Sequence, residues 1–150
     1  MLHHIEICLL IVSIVTVSTF PVVSSQSSGC YFTAMNLYGP PSVQVGQKFD
    51  VETLFSVTCT GAGFYTVRAD LADARTGQIL STSRTTFSIL GPFAAVITSS
   101  VVAPITAGWW PLQMNLYVLN LSGVPIAPQS QQMFGLAILS SQSNQTSHGN

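Results

Sequence analysis

The stretch Lys48-Phe49-Asp50-Val51-Glu52-Thr53-Leu54-Phe55-Ser56-Val57-Thr58-Cys59 alternates with a period of two. Its odd positions, Phe49, Val51, Thr53, Phe55, Val57 and Cys59, make one face that is apolar apart from a threonine. Its even positions, Lys48, Asp50, Glu52, Leu54, Ser56 and Thr58, make a mostly polar face. Successive side chains of a strand point to opposite sides, so this is the pattern of a half-buried strand in an antiparallel sheet. No helical spacing of apolar residues competes with it.

The same alternation recurs on both sides. In Phe64–Asp73, Tyr65, Val67, Ala69 and Leu71 form an inner face, and Arg68 and Asp70 share the outer one. In Leu112–Val118, Leu112, Met114, Leu116 and Val118 point inward, and Gln113, Asn115 and Tyr117 point outward. Further strands are expected at Tyr31–Tyr38, Gln78–Ile89, Phe93–Val102 and Gln132–Ser140. Turn signals separate the runs: Gly39-Pro40-Pro41, Gly61-Ala62-Gly63, Arg75-Thr76-Gly77, Gly91-Pro92, Ala107-Gly108 and Ser122-Gly123. The expected fold is all-β, a seven-stranded antiparallel immunoglobulin-like sandwich spanning residues 26–140.

The cysteines support this register. Cys30 opens the first expected strand and Cys59 closes the second, with the connection centred near Gln44. Antiparallel pairing about that centre sets position 30 opposite position 59, so a Cys30–Cys59 disulfide and the strand register agree. Cys8 lies in the N-terminal apolar run and would be removed with it. Lipid attachment at Cys30, which follows Ser27-Ser28-Gly29, is the competing use of that residue.

Three segments carry a family resemblance: VQVGQKFDV leading the second strand, YTVRADLADARTGQIL across the third and fourth, and VVAPITAGWWPLQMNLYV entering the sixth. Over residues 31–140 the layout resembles the immunoglobulin-like, cell-adhesion-related modules of extracellular surface proteins. Such a resemblance implies a scaffold far more specifically than a function.

Ile5–Val23, IEICLLIVSIVTVSTFPVV, has the length and composition of a secretory signal, with small residues Ser24-Ser25 before Gln26. Residues 1–25 are expected to be a cleaved signal peptide, with a retained membrane anchor as the alternative. Residues 141–150 are expected to be a disordered polar tail. Expected localisation is secreted or cell-surface.

Charge is scarce. Only 6% of the 150 residues are Asp, Glu, Lys or Arg, against about 25% in an ordinary soluble domain. Apart from Glu6, all of them fall between Lys48 and Arg84. With a net charge of −1 there is no basic patch for a phosphate backbone, so nucleic-acid binding is not expected. An apolar fraction of 47% argues for a folded chain despite the low charge.

Chemistry is equally sparse. His3, His4 and His148 all lie outside the expected domain, so neither a copper or zinc set nor an activated serine nucleophile can be assembled. The carboxylates Asp50, Glu52, Asp70 and Asp73 stand beside Lys48, Arg68 and Arg75, which reads as cross-strand ion pairing. No catalytic, metal or cofactor residues are assigned, and an enzyme is not expected. Trp109-Trp110-Pro111 with Tyr117 is the candidate stacking surface for a ligand, against a role as strand-entry anchors. Asn120-Leu121-Ser122 and Asn144-Gln145-Thr146 are candidate N-glycan acceptors at Asn120 and Asn144.

The leading expectation is therefore a non-catalytic structural or adhesive module of a cell surface, filament or surface complex. Its partners would be itself or other surface proteins, joined at sheet edges, with membrane contact only if the leader is retained. Phe93–Val102 and Gln132–Ser140 lack the charges that normally blunt an edge, and Gln26–Tyr38 is a candidate donated strand. The alternative is an extracellular glycan- or ligand-binding module that uses the exposed aromatics.

Overall fold

A computed structural model describes residues 29–141, except the side chains of Ile89 and Leu90. The leader, Asn144 and the polar tail lie outside the described residues. The described chain is all-β: β1 (Cys30–Tyr38), β2 (Ser42–Gln44), β3 (Lys48–Asp73), β4 (Ile79–Val102), β5 (Gly108–Leu119) and β6 (Ser130–Leu139). None of its helices is long and apolar enough to cross a membrane, because the described residues contain none at all.

The strands form one mixed, curled sheet in the order β1-β3-β5-β6-β2, with β4 also paired to β3. The seven expected segments are all found in strands. Gly61-Ala62-Gly63 and Gly91-Pro92, read from sequence as turns, lie instead within β3 and β4. There the two strands bend together, with a register irregularity between Cys59 and Gly63. Gly91 adopts φ of 106°, a conformation that side-chain-bearing residues avoid, and so lets β4 turn without ending. The β3–β4 pair is thus one long ribbon. Its first part joins Lys48–Cys59 to Gly91–Val102, and its second joins Gly63–Ala72 to Ile79–Ile89.

The sheet is not purely antiparallel. After Tyr38 the chain passes through Gly39-Pro40-Pro41, and β2 runs parallel to β6 with Val43 opposite Ile138. Val45 N donates to Leu139 O at 2.9 Å and Ala137 N to Pro41 O at 3.0 Å. The physical reason is the pair of prolines, which lack donors and carry the backbone away from β3 to an edge where only a short strand is needed.

Side chains from both parts of the ribbon meet in one core. Val51, Phe55, Val57, Val67, Leu71, Leu112, Met114, Leu116 and Leu136 are fully buried. Phe87, before the β4 bend, stacks on Phe93, after it, at 4.3 Å between ring centroids. Phe49 from the start of β3 meets Trp110 of β5 edge-on at 6.4 Å. Full burial of a side chain such as Phe55 stabilises by roughly 1.5–3 kcal/mol. The alternation in Lys48–Cys59 is realised residue by residue, with the odd set buried and Thr53 the single hydroxyl among it.

Candidate functional site

The Cys30–Cys59 bond is present, with Cα atoms 4.1 Å apart. The residues are direct register partners, and the ladder continues from Tyr31 opposite Thr58 to Tyr38 opposite Glu52. A bulge between Phe32 and Ala34 shifts the register by one. Cys30–Tyr38 is covalently tied to β3 and pairs with it inside its own chain.

The three candidate stacking residues do not form one surface. Trp109 is 67% exposed and Trp110 is 4% exposed, because neighbours on a strand face opposite ways. Tyr117 shares the face of Trp109, but eight positions along β5, about 26 Å at strand rise. Its ring is covered by the Arg68 guanidinium, 4.4 Å from the centroid.

Trp109 lies flat over β6. A Cβ placed on Gly135 would come within 2.1 Å of its indole carbons, so glycine is what allows the close approach. The indole separates two depressions. One, of about 200 Å³, is lined by Pro111, Met133, Phe134 and Gly135. The other, of about 290 Å³, is lined by Arg75, Pro104, Thr106, Gly108, Trp110 and Ile138.

Trp110 points inward and is anchored. Its Nε1 donates to Asp73 Oδ2 at 2.8 Å. The same carboxylate accepts from Arg75 N at 2.8 Å, Arg75 Nη2 at 3.0 Å and Arg75 Nε at 3.3 Å. The Arg75 guanidinium holds the Asp73 carboxyl well below the usual carboxylate range; burial opposes this, and Trp110 adds to it. Sequence reasoning set Asp73 beside Arg75 but missed Trp110, which lies 37 positions from Asp73. A signal existed: a buried indole N–H needs an acceptor, and Asp73 closes the strand that pairs with β5.

The charges are arranged differently from the cross-strand pairing expected. Arg68 Nε meets Asp70 Oδ2 at 3.1 Å along one strand, and Arg75 meets Asp73 across a turn. Asp70, expected on an exposed face, is 4% exposed and also accepts from Thr82 Oγ1 at 2.9 Å. Among the described residues no three His, Cys, Asp or Glu come together as a metal set.

Asn120 sits in the turn after β5. Its Oδ1 accepts from Ser122 N and Val124 N, both at 2.9 Å, while Leu121 and Ser122 are exposed. The acceptor triplet is therefore displayed at a loop tip.

No family model matches the chain, and no curated protein is similar to it in sequence. Solved structures share its fold. β-Glucuronidase from Bacteroides uniformis has a TM-score of 0.60 at 10% identity, over 72% of this chain and 14% of that one. A family 2 glycosyl hydrolase from Bacteroides cellulosilyticus DSM 14838 has a TM-score of 0.56 at 12% identity, over 73% of this chain and 15% of that one. The C-terminal domain of wzt has a TM-score of 0.52 at 13% identity, over 77% of this chain and 76% of that one. The chain thus spans only a small part of the hydrolases, and the likeness is to β-rich domains. It places the protein among generic β-domain modules by fold alone.

Proposed function

We propose that the chain is a secreted, non-catalytic, immunoglobulin-like β-sandwich module that assembles at a cell surface by strand addition along β4. One observation carries this reading: β4 pairs with β3 along its whole length, and no other strand among the described residues pairs with its far side. Ala103 N donates to Gln47 O at 2.9 Å, which sets the phase of the ladder. Directly opposed residues alternate between bonded and non-bonded pairs. Main-chain groups of Ala94, Val96, Thr98, Ser100 and Val102 therefore point outward. One of them is already met, since Ser83 Oγ donates to Thr98 O at 2.9 Å. Phe93–Val102 carries no charge to repel an incoming strand. The other uncharged segment, Gln132–Ser140, is a shorter edge, because β2 and Pro41 cover it at Ala137–Leu139. The disulfide and the signal-like leader support an oxidising, extracellular compartment.

Thr98 is exposed and lies opposite Glu52. Thr98→Lys adds a gatekeeping charge with a carboxylate to pair with, so it should reduce association while leaving the melting temperature within a few degrees of wild type. Light scattering of both proteins at matched concentration checks this. A wild type that stays monomeric and joins no partner in its native extract would refute strand addition.

A second reading, a glycan- or ligand-binding module, is favoured by the exposed Trp109 pinned on Gly135. Polysaccharide binding by the monomer that disappears in Trp109→Ala would support it.

A further inference from the structure

Arg68 and Arg84 are direct register partners on neighbouring strands. Such residues share a face with Cβ atoms about 5 Å apart, and like charges placed so are destabilising. The chain has four Lys and Arg in total. That two of them face each other calls for a reason.

Local carboxylates do not supply it. Asp70 neutralises Arg68 and is also held by Thr82. Asp73 is engaged by Arg75 and Trp110. Asp50 and Glu52 lie opposite Ser100 and Thr98, on the other half of the ribbon. Among the described residues Arg84 forms no ion pair, and it is exposed. Guarding an edge strand does not supply the reason either. A glutamate at position 84 would guard the edge equally and would pair with Arg68.

The neighbouring side chains on this face are mostly polar, apart from Leu119 opposite Thr66. Arg68 lies against Tyr117 on its other side, giving a row Arg84-Arg68-Tyr117 across β4, β3 and β5. One neighbouring row holds Thr66 and Thr86, whose hydroxyls are 3.0 Å apart. The other holds Thr82, Asp70 and Asn115. Asn115 Oδ1 in turn accepts from Gln113 Nε2 and Gln129 Nε2 at 2.8 and 2.6 Å. Asp70 and Asn115 are buried beneath this face, while the exposed hydroxyls of Thr82 and Thr86 suit a polyol and neighbouring guanidinium groups suit a carboxylate or sulfate.

We propose that Arg68 and Arg84 together bind the anionic group of an acidic polysaccharide laid across β4, β3 and β5. The anion takes as its main partner Arg84, which forms no ion pair among the described residues, and reaches Arg68, which is already held by Asp70 and Tyr117. The row lies on the opposite half of β4 from Phe93–Val102, so polymer binding and strand association are separable.

The test uses the secreted protein with polygalacturonate for carboxylate, dextran sulfate for sulfate and dextran as the neutral control. Binding to one or both anionic polymers, falling with added salt, is expected, with no binding to dextran. Arg84→Glu should lose at least about tenfold in affinity and at the same time melt higher than wild type, because it pairs with Arg68. Arg84→Gln should lose affinity with a smaller rise in melting temperature. Lys48→Gln removes one unit of charge from the other half of the ribbon and should leave affinity within about twofold. Absence of binding to both anionic polymers, equal losses for Lys48→Gln and Arg84→Gln, or a lower melting temperature in Arg84→Glu would each overturn the proposal.

Discussion

Replacing Cys30 and Cys59 together by serine is expected to lower stability by about 3–4 kcal/mol in the chain-entropy account of cross-linking. The bond joins residues 29 positions apart and sits at the end of the β1–β3 ladder. Without it, β1 is held by its main-chain ladder, by Phe32 against Phe55, and by the half-buried Met35 and Leu37. The segment between Cys30 and Cys59 is then no longer a closed loop in the unfolded chain, which gains conformational entropy. The urea midpoint of the double variant against wild type measures the effect. A loss below about 1 kcal/mol would mean that residual structure already closes this loop in the unfolded state.

The second large effect is expected at Asp73. Asp73→Ala should destabilise by about 3 kcal/mol, since it strands the buried Trp110 N–H and removes four hydrogen bonds to one carboxylate. Asp73→Asn keeps the shape and an acceptor, so it should lose less, and it also removes the titration. The sign follows from the direction of the shift. In the folded chain the Asp73 carboxyl titrates below its unfolded value, lowered first by Arg75. Its stabilisation is complete above the unfolded value of about 3.9 and declines as pH falls below it toward the folded one. Melting temperature should therefore be flat from about pH 5 to pH 8 and drop below about pH 4. In Asp73→Asn the acid drop should be clearly smaller. An equal drop in both proteins would assign acid sensitivity to another carboxylate.

Much of the scaffold was legible because it depends on local alternation. Lys48–Cys59 shows its buried and exposed faces in the order of its letters, and the two cysteines mark the ends of a symmetric pairing. What was hidden depends on long-range geometry. Gly61-Ala62-Gly63 and Gly91-Pro92 look like turns, yet each lies beside the other across the ribbon, so the pair bends as a unit and keeps its ladder. Ser42–Gln44 is too short to show any period, and only the position of β6 tells where it docks. Which of Trp109 and Trp110 is exposed was within reach of the sequence, although both were named as stacking candidates. That follows from the phase of β5, set by Leu112, Met114, Leu116 and Val118. Arg68 and Arg84 became a row only once the register of the ribbon was known.

The parallel seam between β2 and β6 bears on the order in which the molecule assembles. β3 and β4 are joined by the short turn Ala74–Gln78, so their pairing closes a small loop and can zip from that end. The seam brings together residues from opposite ends of the described chain, and such contacts carry the largest closure entropy. It should form last and open first. Deuterium exchange should show this directly: the amides of Val45 and Ala137, bonded across the seam, should exchange by local opening long before those of Val51 and Val67. A chain made from its N-terminus would hold its long ribbon before β6 arrived, and that strand would then close the sheet.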